Sequence, residues 1–168
     1  MKILAPIFAL TLCYALFTAY LVLSYDSLPE RVASHFDIHG QPNGWMSRQT
    51  CVGFTVGIGV FLPALVVGQM VFANRIPVSF VNLPHRDYWL APERRKSTSA
   101  LLLVYGLWFA CLAVLFATGM HWCIVQANTT GGPSHLDYPG FFLVVGGFLF
   151  GTLIWIGLLL LHFRRPRD

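Results

Sequence analysis

The sequence predicts an all-α membrane protein with four transmembrane helices and a small structured extracytoplasmic loop, and three observations predict it. Hydrophobic residues make up 56% of the 168-residue chain and charged residues 11%, against roughly 25% charged in an ordinary soluble domain. Four stretches, residues 3–25, 51–73, 98–122 and 139–162, contain no Asp, Glu, Lys or Arg. At 1.5 Å rise per residue each spans about 35 Å as a helix, enough for a hydrocarbon core of roughly 30 Å. The cations, finally, border these stretches unevenly. A disordered chain, a disulfide-stapled secreted scaffold and a cytosolic enzyme are excluded, leaving residues 1–168 as a single integral membrane domain.

The first stretch, 3–25, follows Lys2 but is longer than the apolar core of a cleavable signal, so it reads as a retained span. Leu12 before Cys13 is too large for a lipoprotein cleavage site. The outer loop 26–50 opens on Ser27-Leu28-Pro29-Glu30, a capping box that predicts a short helix to about Ser34. Gly40, Pro42 and Asn43-Gly44 then predict a tight turn before Trp45, which is expected to fold back as an interface anchor. In the second span Pro63 predicts a kink. Gly53 and Gly57 there, and Gly147 and Gly151 in the fourth span, have the GxxxG spacing that lets helices approach closely. The inner loop 74–97 mixes five cations with Tyr88 and Trp89, is interrupted by Pro77 and Pro84, and is expected to lie along the headgroups. Tyr88, Trp89, Arg94, Arg95 and Lys96 are its candidate lipid or partner contacts, and Pro92 suits the first turn of the third span. A second outer loop, 123–138, follows. Asn128-Thr129-Thr130 in it forms a glycosylation sequon, incidental in a bacterium.

With the N-terminus inside, the inner segments hold Lys2, Arg75, Arg86, Arg94, Arg95, Lys96, Arg164, Arg165 and Arg167, leaving only Arg31 and Arg48 outside. The positive-inside rule therefore places both termini in the cytoplasm. Aromatic residues agree: Tyr25, Trp122 and Tyr138 fall at outer ends, Tyr88, Trp89 and Phe163 near inner ends. The same border positions account for the net charge of +4 without nucleic acid. Membrane lipids are the expected partners, with other membrane proteins or a peptide ligand beside them.

The spans hold no Asp, Glu, Lys or Arg, and His121 and His162 lie at their ends. A pump or ion-coupled transporter needs buried charge along its path, so transport is disfavoured. No nucleophile with an adjacent base is visible either, so no enzyme is expected. Cys13 and Cys111 read as small hydrophobes, whereas Cys51 and Cys123 fall near one face and leave a disulfide between them open.

The stretch from Leu28 to Trp45, with Pro29, His35, Phe36, Gly40, Pro42 and Trp45 as pattern positions, resembles the hallmark of an uncharacterised bacterial membrane domain family. That family is related to SdpI-type immunity proteins, and residues Asn82 to Arg95 resemble a second segment of it. The resemblance implies a bacterial cytoplasmic membrane and a role in protection from a secreted peptide toxin or in relaying its presence inward. SdpI-type proteins carry an additional hydrophobic half that this chain lacks, and the resemblance supplies no catalytic residue.

His35, Asp37 and His39 alternate, so an extended chain would put all three on one face as zinc or copper ligands. His135 and Asp137 repeat the spacing in the second outer loop. The leading expectation is a non-enzymatic interaction protein, of immunity or signalling type or an accessory subunit, with no cofactor. An outer-face zinc or copper protein is the alternative.

Overall fold

A computed structural model describes residues 3–72 and 77–164. Lys2, Arg75, Arg165 and Arg167, on which part of the orientation rests, lie outside the described residues. So do Ala73, Asn74 and Ile76, where the second span and the inner loop meet. The elements are α1 (Leu4–Tyr25), strands β1 (Arg31–Phe36) and β2 (Pro42–Ser47), α2 (Arg48–Phe72), a 3-10 turn (Val78–Phe80), α3 (Arg86–Trp89), α4 (Pro92–Thr129) and α5 (Tyr138–Phe163). All four long helices are long and apolar enough to cross a membrane.

α4 is the hub. In its most apolar stretch 44% of residues are buried, against 17% in α1 and α2 and none in α5. α1, α2 and α5 each pack on it, while α1 and α2 meet each other little. The faces turned away carry Phe8, Leu23, Phe61 and Phe150, all more than 60% exposed. Such large apolar side chains on the outside of every peripheral helix fit lipid as the solvent.

The close helix contacts are not the expected ones. A methyl group at Gly53, Gly57 or Gly147 would meet nothing within 4 Å, although Gly151 does lie against Leu112. Close approach occurs instead at Gly59, where the Phe17 ring fills the place of a side chain (2.7 Å), at Gly106 against Met70 and at Gly119 against Val144. Lipid supplies no hydrophobic drive for helix pairing, so contact forms where a bulky side chain finds a cleft. Gly59→Ala should therefore destabilise the bundle by about 1–3 kcal/mol through overpacking, while Gly53→Ala should be neutral. Thermal unfolding in detergent checks this; equal effects at the two positions would refute it.

Both ends of α4 extend beyond the expected span. Thirty-eight residues reach about 57 Å, nearly twice the hydrocarbon thickness. At one end Pro92 occupies the first turn with Glu93 beside it, as expected. At the other, residues 123–129 form helix rather than loop, because Cys123, Val125 and Ala127 bury there. Val125 joins Leu28, Val32 and Cys51 in one apolar cluster.

Trp89 is not a surface contact. Its indole packs against Leu83, Leu102 and Phe163, and its Nε1–H donates to the Phe163 carbonyl (3.0 Å). Left-handed backbone at His85 (φ 51°) turns the chain back so that the short α3 tucks this ring under the ends of α4 and α5. Tyr88 is half-buried beneath the Arg94 guanidinium (4.1 Å to the ring centroid). Arg94 and Lys96 are exposed, and Arg95 is half-buried.

Candidate functional site

At the other end of the bundle the polar loop folds into an antiparallel hairpin. The short helix expected at Ser27–Ser34 does not form: the Ser27 hydroxyl donates back to the Ser24 carbonyl (2.7 Å) and ends α1 instead of capping a new helix. Leu28 and Val32 bury at 2% and 0% exposure, and the chain from Arg31 pairs with Ser47 and onward as a strand. The turn is Asp37–Gln41 rather than Asn43-Gly44, which lies within β2. Gly44 stands opposite His35, where a side chain would meet the imidazole at about 3 Å. Trp45 stays on the outward face, 46% exposed, with the Arg31 guanidinium 5.1 Å from its ring centroid.

The hairpin does not hang free. Its turn is pinned by the α4–α5 connection: Leu136 N–H donates to the Gly40 carbonyl (3.0 Å), Gly40 N–H to the Tyr138 hydroxyl (2.9 Å), and that hydroxyl to the Asp37 carbonyl (2.6 Å). Its first strand is pinned by Asn128, whose Oδ1 accepts from Ala33 N–H (2.8 Å) and whose Nδ2 donates to the Ala33 carbonyl (2.9 Å). The amide of the sequon thus acts as a missing strand neighbour.

These pins set the places of the expected ligands. Asp37 begins the turn, and its Oδ1 accepts from His39 N–H (2.8 Å) and Gln41 N–H (3.0 Å). It therefore does not share a strand face with His35 and His39. His35 Nδ1 meets the Ser34 hydroxyl (3.0 Å). The His135 ring lies against Gly40, and Asp137 caps α5 by accepting from Gly140 N–H (3.0 Å). Among the described residues no three His, Cys, Asp or Glu side chains gather as a metal site. Cys51 and Cys123 are both buried free thiols.

Asp37 gives the cap an acid dependence. Its carboxyl is held below the ordinary value of about 4, first by the N–H of Gln41 and then by that of His39. A lowered folded pKa contributes stability above the unfolded value, and that stability is lost as pH falls through the folded one. Amide exchange at His39 and Gln41, corrected for intrinsic rates, should accelerate between pH 5 and pH 3, and Asp37→Asn should remove the difference. Unchanged protection at pH 3 would refute it.

Beneath the hairpin lies a cavity of about 220 Å³. Ser34, His35 and Met46 form its roof, Phe54 and Thr55 of α2 one wall, Met120 and His121 of α4 another. His121 was legible only as a span-end histidine; the structure buries it to 1% exposure. Its Nε2 lies 2.9 Å from the Ser24 hydroxyl and its Nδ1 3.5 Å from the Thr55 hydroxyl, with the Tyr20 ring edge-on at 5.7 Å. Three helices thus converge on one imidazole at the cavity wall. Neither Ser24 nor Thr55 carries a sequence signal of its own, since each reads as a small polar residue in an apolar helix.

No curated protein and no solved structure matches the chain. Residues 7–59, which cover most of α1, the whole hairpin and the first half of α2, match the family model of a domain of unknown function (DUF1648).

Proposed function

We propose that this chain is a non-enzymatic protein of a bacterial cytoplasmic membrane, with both termini inside, that recognises a peptide or membrane-protein partner at its outer face. The observation that carries this reading is the cavity under the pinned hairpin. A rigid cap over an apolar hollow fits reception of an inserted apolar group. The resemblance of residues Leu28 to Trp45 to SdpI-type immunity proteins supports an immunity or signalling role. Ser24 beside His121 has the spacing of a nucleophile and base, yet Ser24 is only 5% exposed and does not line the cavity. A group seated in the cavity does not meet its hydroxyl, which favours recognition over hydrolysis.

A photo-crosslinking residue in place of Met46 tests the reading in living cells. One discrete adduct is expected, lost when Met120→Trp fills the cavity. Crosslinks to bulk lipid alone, unchanged by that substitution, would overturn it.

A further inference from the structure

We infer that the cavity reads its ligand through a hydrogen bond donated by His121 Nδ1, so that the group it takes is a compact apolar body bearing a carbonyl-type acceptor. This rests on the cavity being the recognition site, and it adds the ligand's chemistry.

Counting protons along the buried chain assigns the tautomer. The Thr55 hydroxyl has one proton and donates it to the Cys51 carbonyl (3.0 Å), so toward His121 its oxygen can only accept. The facing Nδ1 then carries hydrogen, and Nε2 is bare. Ser24 completes the arrangement by donating to Nε2 (2.9 Å). In the reverse tautomer Nε2–H donates to Ser24, whose proton goes to the Leu21 carbonyl at a poorer 3.4 Å. Nδ1 would then gain a proton from Thr55 only if that hydroxyl left its 3.0 Å bond to the Cys51 carbonyl for one at 3.5 Å. A doubly protonated ring would sit in an apolar wall, and no described ion pair involves His121, so the neutral form is favoured.

Nδ1–H is thereby left with a partner at 3.5 Å, the outer limit of a hydrogen bond. The Nε2 side faces Ser24, which does not line the cavity; the Nδ1 side faces Thr55, which does. An underused donor in an apolar wall selects a ligand that brings an acceptor. Size selects further. An apolar cavity of about 150 Å³ accepts benzene, so about 220 Å³ suits a body of roughly ten heavy atoms.

The test uses the full chain in lipid nanodiscs and two probes of nearly equal shape, 4-fluoroacetophenone and 4-fluoro-α-methylstyrene. They differ in carrying C=O or C=CH2. Binding is followed by fluorine NMR relative to empty nanodiscs. The ketone should bind roughly three- to ten-fold tighter, the worth of about one net hydrogen bond. His121→Phe should erase that preference, so that the ketone and the hydrocarbon bind the variant alike. Equal saturable binding of both probes, blocked by Met120→Trp, would keep the site and overturn the donor. Binding of neither above empty nanodiscs would overturn the site as well. Should His121→Phe not fold, nitrogen-15 spectra of the wild-type imidazole decide: protonated Nδ1, shifted by the ketone only, supports the inference, and protonated Nε2 overturns it.

Discussion

Gly40→Ala should destabilise the cap by about 2–4 kcal/mol, the sum of a left-handed backbone penalty and overpacking. Gly40 holds φ +75°, and an added methyl would lie 2.7 Å from the His135 ring and 3.1 Å from the Leu136 carbonyl oxygen. The ring could be trimmed away, but the backbone carbonyl could not. The same residue makes two of the three bonds that pin the turn, so strain here detaches the hairpin rather than bending it locally. Amide exchange over residues 31–47 should accelerate strongly while the lower bundle keeps its protection. His135→Ala in the Gly40→Ala background should recover only part of the loss, because φ remains unfavourable. Unaltered exchange in Gly40→Ala would contradict this account.

Asn128→Ala should cost a similar amount, about 2–4 kcal/mol, by leaving the Ala33 N–H buried without an acceptor and removing three further bonds, to the Ala33 and Ile124 carbonyls and from the Ser134 hydroxyl. Ala33 is 0% exposed, so water cannot take the place of the amide. Asn128→Asp is the sharper variant. It keeps the size and the acceptor, but sets a second carboxylate oxygen against the Ala33 and Ile124 carbonyls that Nδ2 now serves. Its melting temperature in detergent should fall at least as far as that of Asn128→Ala. A stable Asn128→Asp protein would show that the paired amide geometry does not hold the strand. Combined with Gly40→Ala, either substitution should add less than its separate cost, since both release one hairpin.

Leu28 and Asn128 show where sequence reading succeeds and stops. Ser27 to Glu30 has the chemistry of a helix start, and local preference alone favours one. The competing event is burial of Leu28 and Val32 against Val125 of α4, almost a hundred residues along, which draws the segment into a strand. Asn128 was legible only as a surface sequon, because its partner is a backbone group on a distant strand. Trp89 carries the composition of a headgroup anchor, yet one backbone reversal at His85 takes it inside. Gly53 and Gly57 have the right spacing on the wrong face.

Hydropathy is a local and nearly additive property, so runs of uncharged residues determined by themselves that the chain has four helices long and apolar enough to cross a membrane, joined by polar loops. Which helix is central, where the hairpin docks and which histidines meet the cavity were decided by tertiary packing alone. Ser24 and Thr55 stand 97 and 66 residues from His121, and no periodic pattern encodes their meeting. It follows from the directions in which three packed helices turn their few polar groups, each seeking a hydrogen bond that lipid cannot supply.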